Sequence, residues 1–429
     1  MKRELRFFDI LCIGVNAIVG SGIFLIPGRL IGGMGPASIL LYVVCGLMLI
    51  PVGLCFAEAS SRTDRSGGSY IYVEKAFGHG LGFATGWIDI ATALFSYPAA
   101  AIGLPKYLAT FFPIVGQGIY PYVIAGIVIV LLAAINIRGI RPGATTVNIF
   151  TVSKLVPLLI LIGVGAWFFK PSAFVPFAPH GFSSSGGLIL AALFMYQGFE
   201  VAPVPAGETQ NPQRVIPRAV VLSILVSIVL YLLVHIMLIG SGANLAGSEA
   251  PLADALTQLI GPYGAMIISL GAVVSMFGYC AGLALGTPRY ITVLCEDGFL
   301  PKLGARQHAR YGTPYVAIII FSLATFILTL VLNFDSLVDI AATVIVIQYL
   351  LTCSAIPVLR KKVPSSKNTY TSPFGPLVPV LGILSSLLLI SQIRWIELKW
   401  VAGTLFLGYA FSGIYCQIMK RLKTYSKPC

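Results

Sequence analysis

The sequence predicts an all-α integral membrane protein of about twelve transmembrane helices, and three observations carry that expectation. Of the 429 residues, 57% are hydrophobic and only 10% are charged, with a mean hydropathy of +0.91, whereas water-soluble domains carry about 25% charged residues. Apolar runs of about 20 residues, the length that crosses a bilayer, recur along the whole chain. Two of these runs are interrupted near their middles by glycine, at matching places in the two halves.

The first run, 9–33, follows a basic segment holding Lys2, Arg3 and Arg6, and contains Gly20-Ser21-Gly22. A glycine inside a helix costs about 1 kcal/mol relative to alanine. Such a cluster marks either a helix interrupted on purpose or one packed closely against a neighbour. Runs 36–61, 81–112, 118–137 and 144–169 follow, the last carrying Lys154 inside the span. The sixth run, 186–208, breaks around Gly198 in Leu193-Phe194-Met195-Tyr196-Gln197-Gly198-Phe199-Glu200. Pro203 and Pro205 come next; proline suits a first helical turn, where its missing N–H is no loss, and the pair is expected to stiffen a restarting half-helix. Runs 218–241, 262–293, 315–332, 335–359, 375–392 and 398–420 complete the set. Unwound backbone at membrane depth is tolerated where it lines a cavity or lies inside protein. A matched pair of broken spans points to a central site between inverted repeats.

The net charge of +13 invites a nucleic-acid partner, and its distribution argues against one. With the amino terminus placed in the cytoplasm, 22 of the 28 lysines and arginines fall on that side. Arg29, Lys106, Lys170, Arg394 and Lys399 fall on the other, and Lys154 lies within a span. This is the positive-inside pattern. Both termini are therefore expected in the cytoplasm of a multi-pass inner (cell) membrane protein, with the basic excess setting topology and touching anionic lipid heads. No cleavable signal peptide and no soluble domain are expected. The eight cysteines and four histidines are dispersed without metal-ligand spacing, so no metal or cofactor is expected. Without a Walker loop, GxGxxG or GxSxG sequence, neither nucleotide-driven nor hydrolytic chemistry is expected, and the chain is not expected to be an enzyme.

Several segments are recognisable in order along the chain. Gly20-Ser21-Gly22-Ile23-Phe24, Gly67-Gly68-Ser69-Tyr70-Ile71-Tyr72 leading to Ala76-Phe77-Gly78, Gly86-Trp87, Gly198-Phe199-Glu200 with Asn211-Pro212-Gln213-Arg214, and Asp297-Gly298-Phe299-Leu300-Pro301 before Gly312-Thr313-Pro314 resemble the amino acid–polyamine–organocation (APC) superfamily of permeases. The resemblance covers nearly the whole chain. It implies a five-plus-five inverted repeat with broken helices 1 and 6, residues 1–169 and 186–359. Residues 375–429 would add two peripheral helices and a cytoplasmic tail. It also implies a substrate held at the two breaks.

Physical chemistry supports the placement. A half-helix begins with unpaired N–H groups at the positive end of its dipole, which binds carboxylates. The N–H groups around Ser21, Gly22 and Ile23, next to Gly20, are thus the expected seat of an amino acid's carboxylate. Carbonyls freed by unwinding accept an ammonium group, and the resemblance places these at Ile18, Phe194 and Gln197, beside Gly198. Phe194 also matches the family's aromatic lid, although an aromatic residue there equally suits plain packing. The resemblance puts Ile90, Ala93, Tyr196, Gln197 and Leu283 around the substrate side chain. These are uncharged and favour a neutral substrate, while nearby Asp89 keeps a cationic one open or faces the cytoplasmic vestibule.

An ionisable residue at bilayer depth costs about 3 kcal/mol on insertion scales and is a functional candidate. Lys154 resembles the span 5 lysine of some proton-coupled members, which faces the broken first span where sodium-coupled relatives hold a cation. The alternative is a lysine that only ties the two spans together. Glu200 stands where members often carry an acidic residue just past the second break. It either carries a proton or stays ionised against a helix terminus. Glu58 and Glu208, at cytoplasmic ends of spans, suit helix-end pairing. The resulting expectation is a secondary active transporter of amino acids working by alternating access, proton-coupled and sodium-independent, by symport or antiport. Exchange of amino acids or polyamines without proton coupling, and a non-transporting amino acid sensor of the same fold, remain alternatives. A membrane-embedded transferase would need a paired catalytic constellation that the spans do not offer.

Overall fold

The computed structural model describes residues 5–63, 67–138, 144–206, 209–363 and 369–425, and only the backbone of 144–147 and 416–425. Lys2, Arg3, Glu208 and Cys429 lie outside the described residues. Sixteen α-helices run along the described chain, and its one β feature is an isolated bridge between Leu5 and Thr209.

The first apolar run forms α1 (Phe7–Ile18), a short α2 (Gly22–Leu25) and α3 (Pro27–Met34). Then come α4 (Ile39–Ser61), α5 (Ser69–Phe77), α6 (His79–Leu108), α7 (Tyr120–Ile137) and α8 (Ala144–Trp167). The second half holds α9 (Ser185–Tyr196), α10 (Pro212–Gly240), α11 (Pro251–Ile260), α12 (Pro262–Glu296), α13 (Tyr315–Val331) and α14 (Phe334–Lys362), followed by α15 (Leu377–Ser391) and α16 (Trp395–Tyr425). Among the described residues, eight helical stretches are each long and apolar enough to cross a bilayer, or nine with the bent pair α15 and α16 counted as one. The other runs form shorter pieces: α9 is cut by its break, α13 has 17 residues, and α15 meets α16 at 115°. The chain is an all-α integral membrane protein.

The expected restart after Gly198 takes an unexpected form. Residues Phe199–Val201 make a 3-10 turn, and the N–H groups of Ala202, Val204 and Ala206 each reach back three residues, to Phe199, Val201 and Pro203. Pro203 and Pro205 have no N–H to give four residues back. The remaining donors close tighter rings, and no α-helix forms before α10 among the described residues.

Packing centres on the broken helices. α4 runs along α10, and α6 runs along α12 and α14, while α1 lies between α10 and α8. α1 and α9 bury Ile10, Val15, Ile18, Leu193, Phe194 and Met195 in this core. The outer helices expose apolar side chains such as Val130, Ile320, Leu323 and Phe406, a surface suited to lipid rather than water. Both ends of α14 are clamped by charge. Asp339 accepts from Arg29 of α3 at 2.9 Å and from Arg394 at 2.9 Å. At the other end, Glu58 accepts from Arg62, from Arg360 and from the Ser372 N–H and hydroxyl at 2.7–3.2 Å.

Candidate substrate site at two interlocked breaks

α1 stops at Ile18 because Val19 leaves the helical region (ψ 78°) and the Gly20 N–H folds back on the Ile18 carbonyl at 2.8 Å. The helix resumes when the Ser21 carbonyl accepts from Phe24 and Leu25, both at 3.2 Å. Between these points the N–H groups of Ser21, Gly22 and Ile23 have no acceptor among the described residues. The Ser21 hydroxyl, also buried, has no partner either. Each unpaired buried group costs about 1–3 kcal/mol. Four donors on three consecutive residues are therefore open to an acceptor.

The second break is arranged differently. In an unbroken helix the Gly198 N–H would serve the Phe194 carbonyl; here it donates to both carboxylate oxygens of Glu200, at 2.9 Å each. The Phe194 carbonyl is thereby left without a backbone donor among the described residues. Tyr349 of α14 donates its hydroxyl to Glu200 at 3.2 Å, and its ring packs on Phe199 and Phe56. Gly198 has φ +127°, and a Cβ there would lie 2.4 Å from the backbone of Ala17. A Cβ on Gly22 would lie 2.9 Å from the Cα of Met195. Each break thus rests its glycine on the backbone of the other helix, so interruption and close packing are both realised here.

Fixed side chains fill most of the acceptors on the first break. Lys154, fully buried on α8, donates to the carbonyls of Asn16 (3.0 Å) and Val19 (2.7 Å). No carboxylate lies within ion-pair distance of it among the described residues. Ser275 of α12 donates to Val19 at 3.2 Å and to Gly20 at 3.4 Å. Tyr231 of α10 places its hydroxyl 2.9 Å from the Ile18 carbonyl and 3.0 Å from that of Met195, joining the two breaks. Gln197 donates its amide to Ser96 of α6 at 2.9 Å, and its side-chain oxygen is unpaired; the Tyr279 ring of α12 packs against Gly20. Ser96, Tyr231, Ser275, Tyr279 and Tyr349 are site residues that sequence reasoning did not single out. Ser275, Tyr279 and Leu283 recur at helical spacing, the one signal that relates them.

Of the expected side-chain neighbours, Ile90, Ala93 and Phe194 are buried and Leu283 is half-buried. Tyr196 turns away into a cluster with Tyr42 and Tyr231 (ring centroids 6.5 and 5.1 Å). Asp89 accepts from Ser69 of α5 at 2.7 Å, and Ser69 in turn accepts from Gln348 of α14 at 2.9 Å. Asp89 stands seven residues before Ser96 on α6, about 10 Å along the helix. Its carboxylate is held by α5 through Ser69. Among the described residues no group of His, Cys, Asp and Glu has the arrangement to hold a metal ion.

Comparison with known proteins agrees with this architecture. Residues 5–405 match the family model described as amino acid permease. The chain is similar to the serine/threonine exchanger SteT of Bacillus subtilis, at 29% identity over 98% of both chains. It is likewise similar to the branched-chain amino acid permease BcaP of the same organism, at 28% identity covering 98% of this chain and 95% of that one. The Bacillus subtilis methylthioribose transporter is 30% identical, covering 94% of this chain and 92% of the relative.

Proposed function

Because this chain belongs to the amino acid permease family, we propose that it is a secondary transporter carrying a neutral α-amino acid across the cell membrane by alternating access, coupled to protons and independent of sodium. The observation that carries this reading is the set of unpaired donors on Ser21, Gly22 and Ile23, lying against a second break whose Phe194 carbonyl is free. The donors fit a carboxylate, and the free carbonyl fits an ammonium group. Neutrality rests on Ile90, Ala93 and Leu283, the uncharged residues expected around the substrate side chain, and on the Asp89 carboxylate being engaged with Ser69.

Proton coupling rests on Lys154. Its ammonium sits on the two first-break carbonyls, Asn16 and Val19, with no carboxylate beside it among the described residues, and loss of its proton would remove the positive charge and one of its three donors from that place. Glu200 is the second proton-coupling candidate, because protonation of its carboxylate would weaken the hold on the Gly198 N–H. The two halves, 1–169 and 186–359, are proposed as inverted repeats with 375–429 peripheral. The pairing of α4 with α10 and of α6 with α12 supports this, since each joins corresponding spans of the two halves. Both termini are proposed to be cytoplasmic, from the charge asymmetry.

Uptake of labelled alanine, leucine or serine into proteoliposomes tests the scheme. Accumulation should follow an inward proton gradient and be unchanged when sodium is replaced by potassium or choline. Strict sodium dependence overturns it. A relative described as an exchanger favours a second reading, obligatory exchange, which would show as uptake only into vesicles preloaded with amino acid, whatever the pH gradient.

A further inference from the structure

Tyr231 contacts both breaks with one atom. It is fully buried on α10, and its hydroxyl lies 2.9 Å from the Ile18 carbonyl and 3.0 Å from the Met195 carbonyl. A phenol has one proton and two acceptor lone pairs, so it serves only one of the two carbonyls at a time. The two are not equivalent. Ile18 already accepts from the Gly20 N–H at 2.8 Å, whereas Met195 has no other donor among the described residues. When the phenol proton points to Ile18, that carbonyl is saturated and Met195 is bare. When it points to Met195, Ile18 has a lone pair free, and the phenol oxygen beside it presents lone pairs of its own.

We propose that Tyr231 is the specificity-determining residue that reads the substrate's α-ammonium group. An arriving ammonium turns the hydroxyl toward Met195 and is received by the Ile18 carbonyl and the phenol oxygen together. The proton stays on the tyrosine throughout, and only its direction changes. The ring is placed for this by packing on Tyr196, at 5.1 Å between centroids, which itself packs on Tyr42. Tyr42 supplies the contrast: it is equally buried in the same cluster, but its hydroxyl has no partner. The inference rests on the amino acid reading above and adds to it a side chain that recognises the amine.

The test compares two competitors of labelled alanine binding to purified protein: alanine, and lactate, which keeps the carboxylate and replaces ammonium by hydroxyl. In the wild type alanine should compete far better than lactate. A wild type that binds neither ligand contradicts the amino acid reading itself, independently of Tyr231. In Tyr231→Phe the preference for alanine should fall about tenfold, the scale of a hydrogen bond to a charged group, with lactate competition retained. Tyr42→Phe should leave the preference unchanged. Equal loss of both ligands in Tyr231→Phe, an unaltered preference in that variant, or the same change in Tyr42→Phe would overturn the proposal.

Discussion

The two breaks share a cause and differ in how they satisfy their backbone. At the second, the Gly198 N–H is consumed by Glu200, a side chain two residues away. At the first, three N–H groups and a serine hydroxyl are left open, while its carbonyls are occupied by Lys154, Ser275 and Tyr231. A helix interruption is therefore not a binding site by itself. It is open to an anion where the surrounding helices fill most of its acceptors and leave its donors, and that asymmetry is why the proposal seats the carboxylate at the first break.

The largest effect should come from closing the gap between the breaks. Gly198→Ala adds a Cβ 2.4 Å from the Ala17 backbone at φ +127°, so neither strain nor clash is relieved by a side-chain shift. Uptake should be abolished and the melting temperature lowered. Gly22→Val meets the backbone of Met195 and should abolish binding with the protein still inserted in the membrane. Gly20→Ala should be milder, because it meets the Tyr279 ring, and a ring can turn where backbone cannot. Equal damage from Gly20 and Gly198 would remove the distinction.

The next test separates the charges that hold the two breaks. Lys154→Ala strips a donor from the Asn16 and Val19 carbonyls, and Glu200→Gln weakens the acceptor of Gly198. Both should lose pH-driven accumulation, which in the wild type should rise as external pH falls. Counterflow exchange should survive in Glu200→Gln, which keeps a side-chain oxygen for the Gly198 N–H. Full pH-driven accumulation in Lys154→Ala would separate that residue from coupling.

Smaller effects should follow at single donors. Ser21→Ala removes one hydrogen bond to substrate, worth about 1 kcal/mol, or roughly a fivefold rise in KM, with maximal rate retained. The smallest is Asp89→Asn. Because Asp89 is engaged with Ser69, arginine should compete weakly for alanine uptake both before and after the change. Strong arginine competition lost in the variant would make Asp89 a specificity residue and the substrate cationic.

The membrane fold and both breaks were legible because hydropathy and glycine are local signals. Lys154 and Glu200 were legible for the same reason, since charge at membrane depth needs a role. The form of the second break was not. Pro203 and Pro205 suit the start of a half-helix by sequence, but by withholding two donors they confine the chain to 3-10 turns. Tyr231, Ser275 and Tyr279 were hidden for another reason. Hydroxyl-bearing residues are common in apolar helices, and only packing decides that Tyr231 and Ser275 meet freed carbonyls while the Tyr279 ring lies against Gly20. Tyr196 shows the converse: it adjoins the break in sequence, and its ring turns toward α4 and α10.

The central claim, that the open donors of the first break bind the substrate's carboxylate, is tested most directly by competing labelled alanine with alanine and with alaninamide on the purified wild-type protein. Both carry the ammonium group and the same side chain, and only the first carries the anion. The account predicts that alanine competes at least about tenfold better, as expected for hydrogen bonds to a charged group. Alaninamide competing as well as alanine would contradict it.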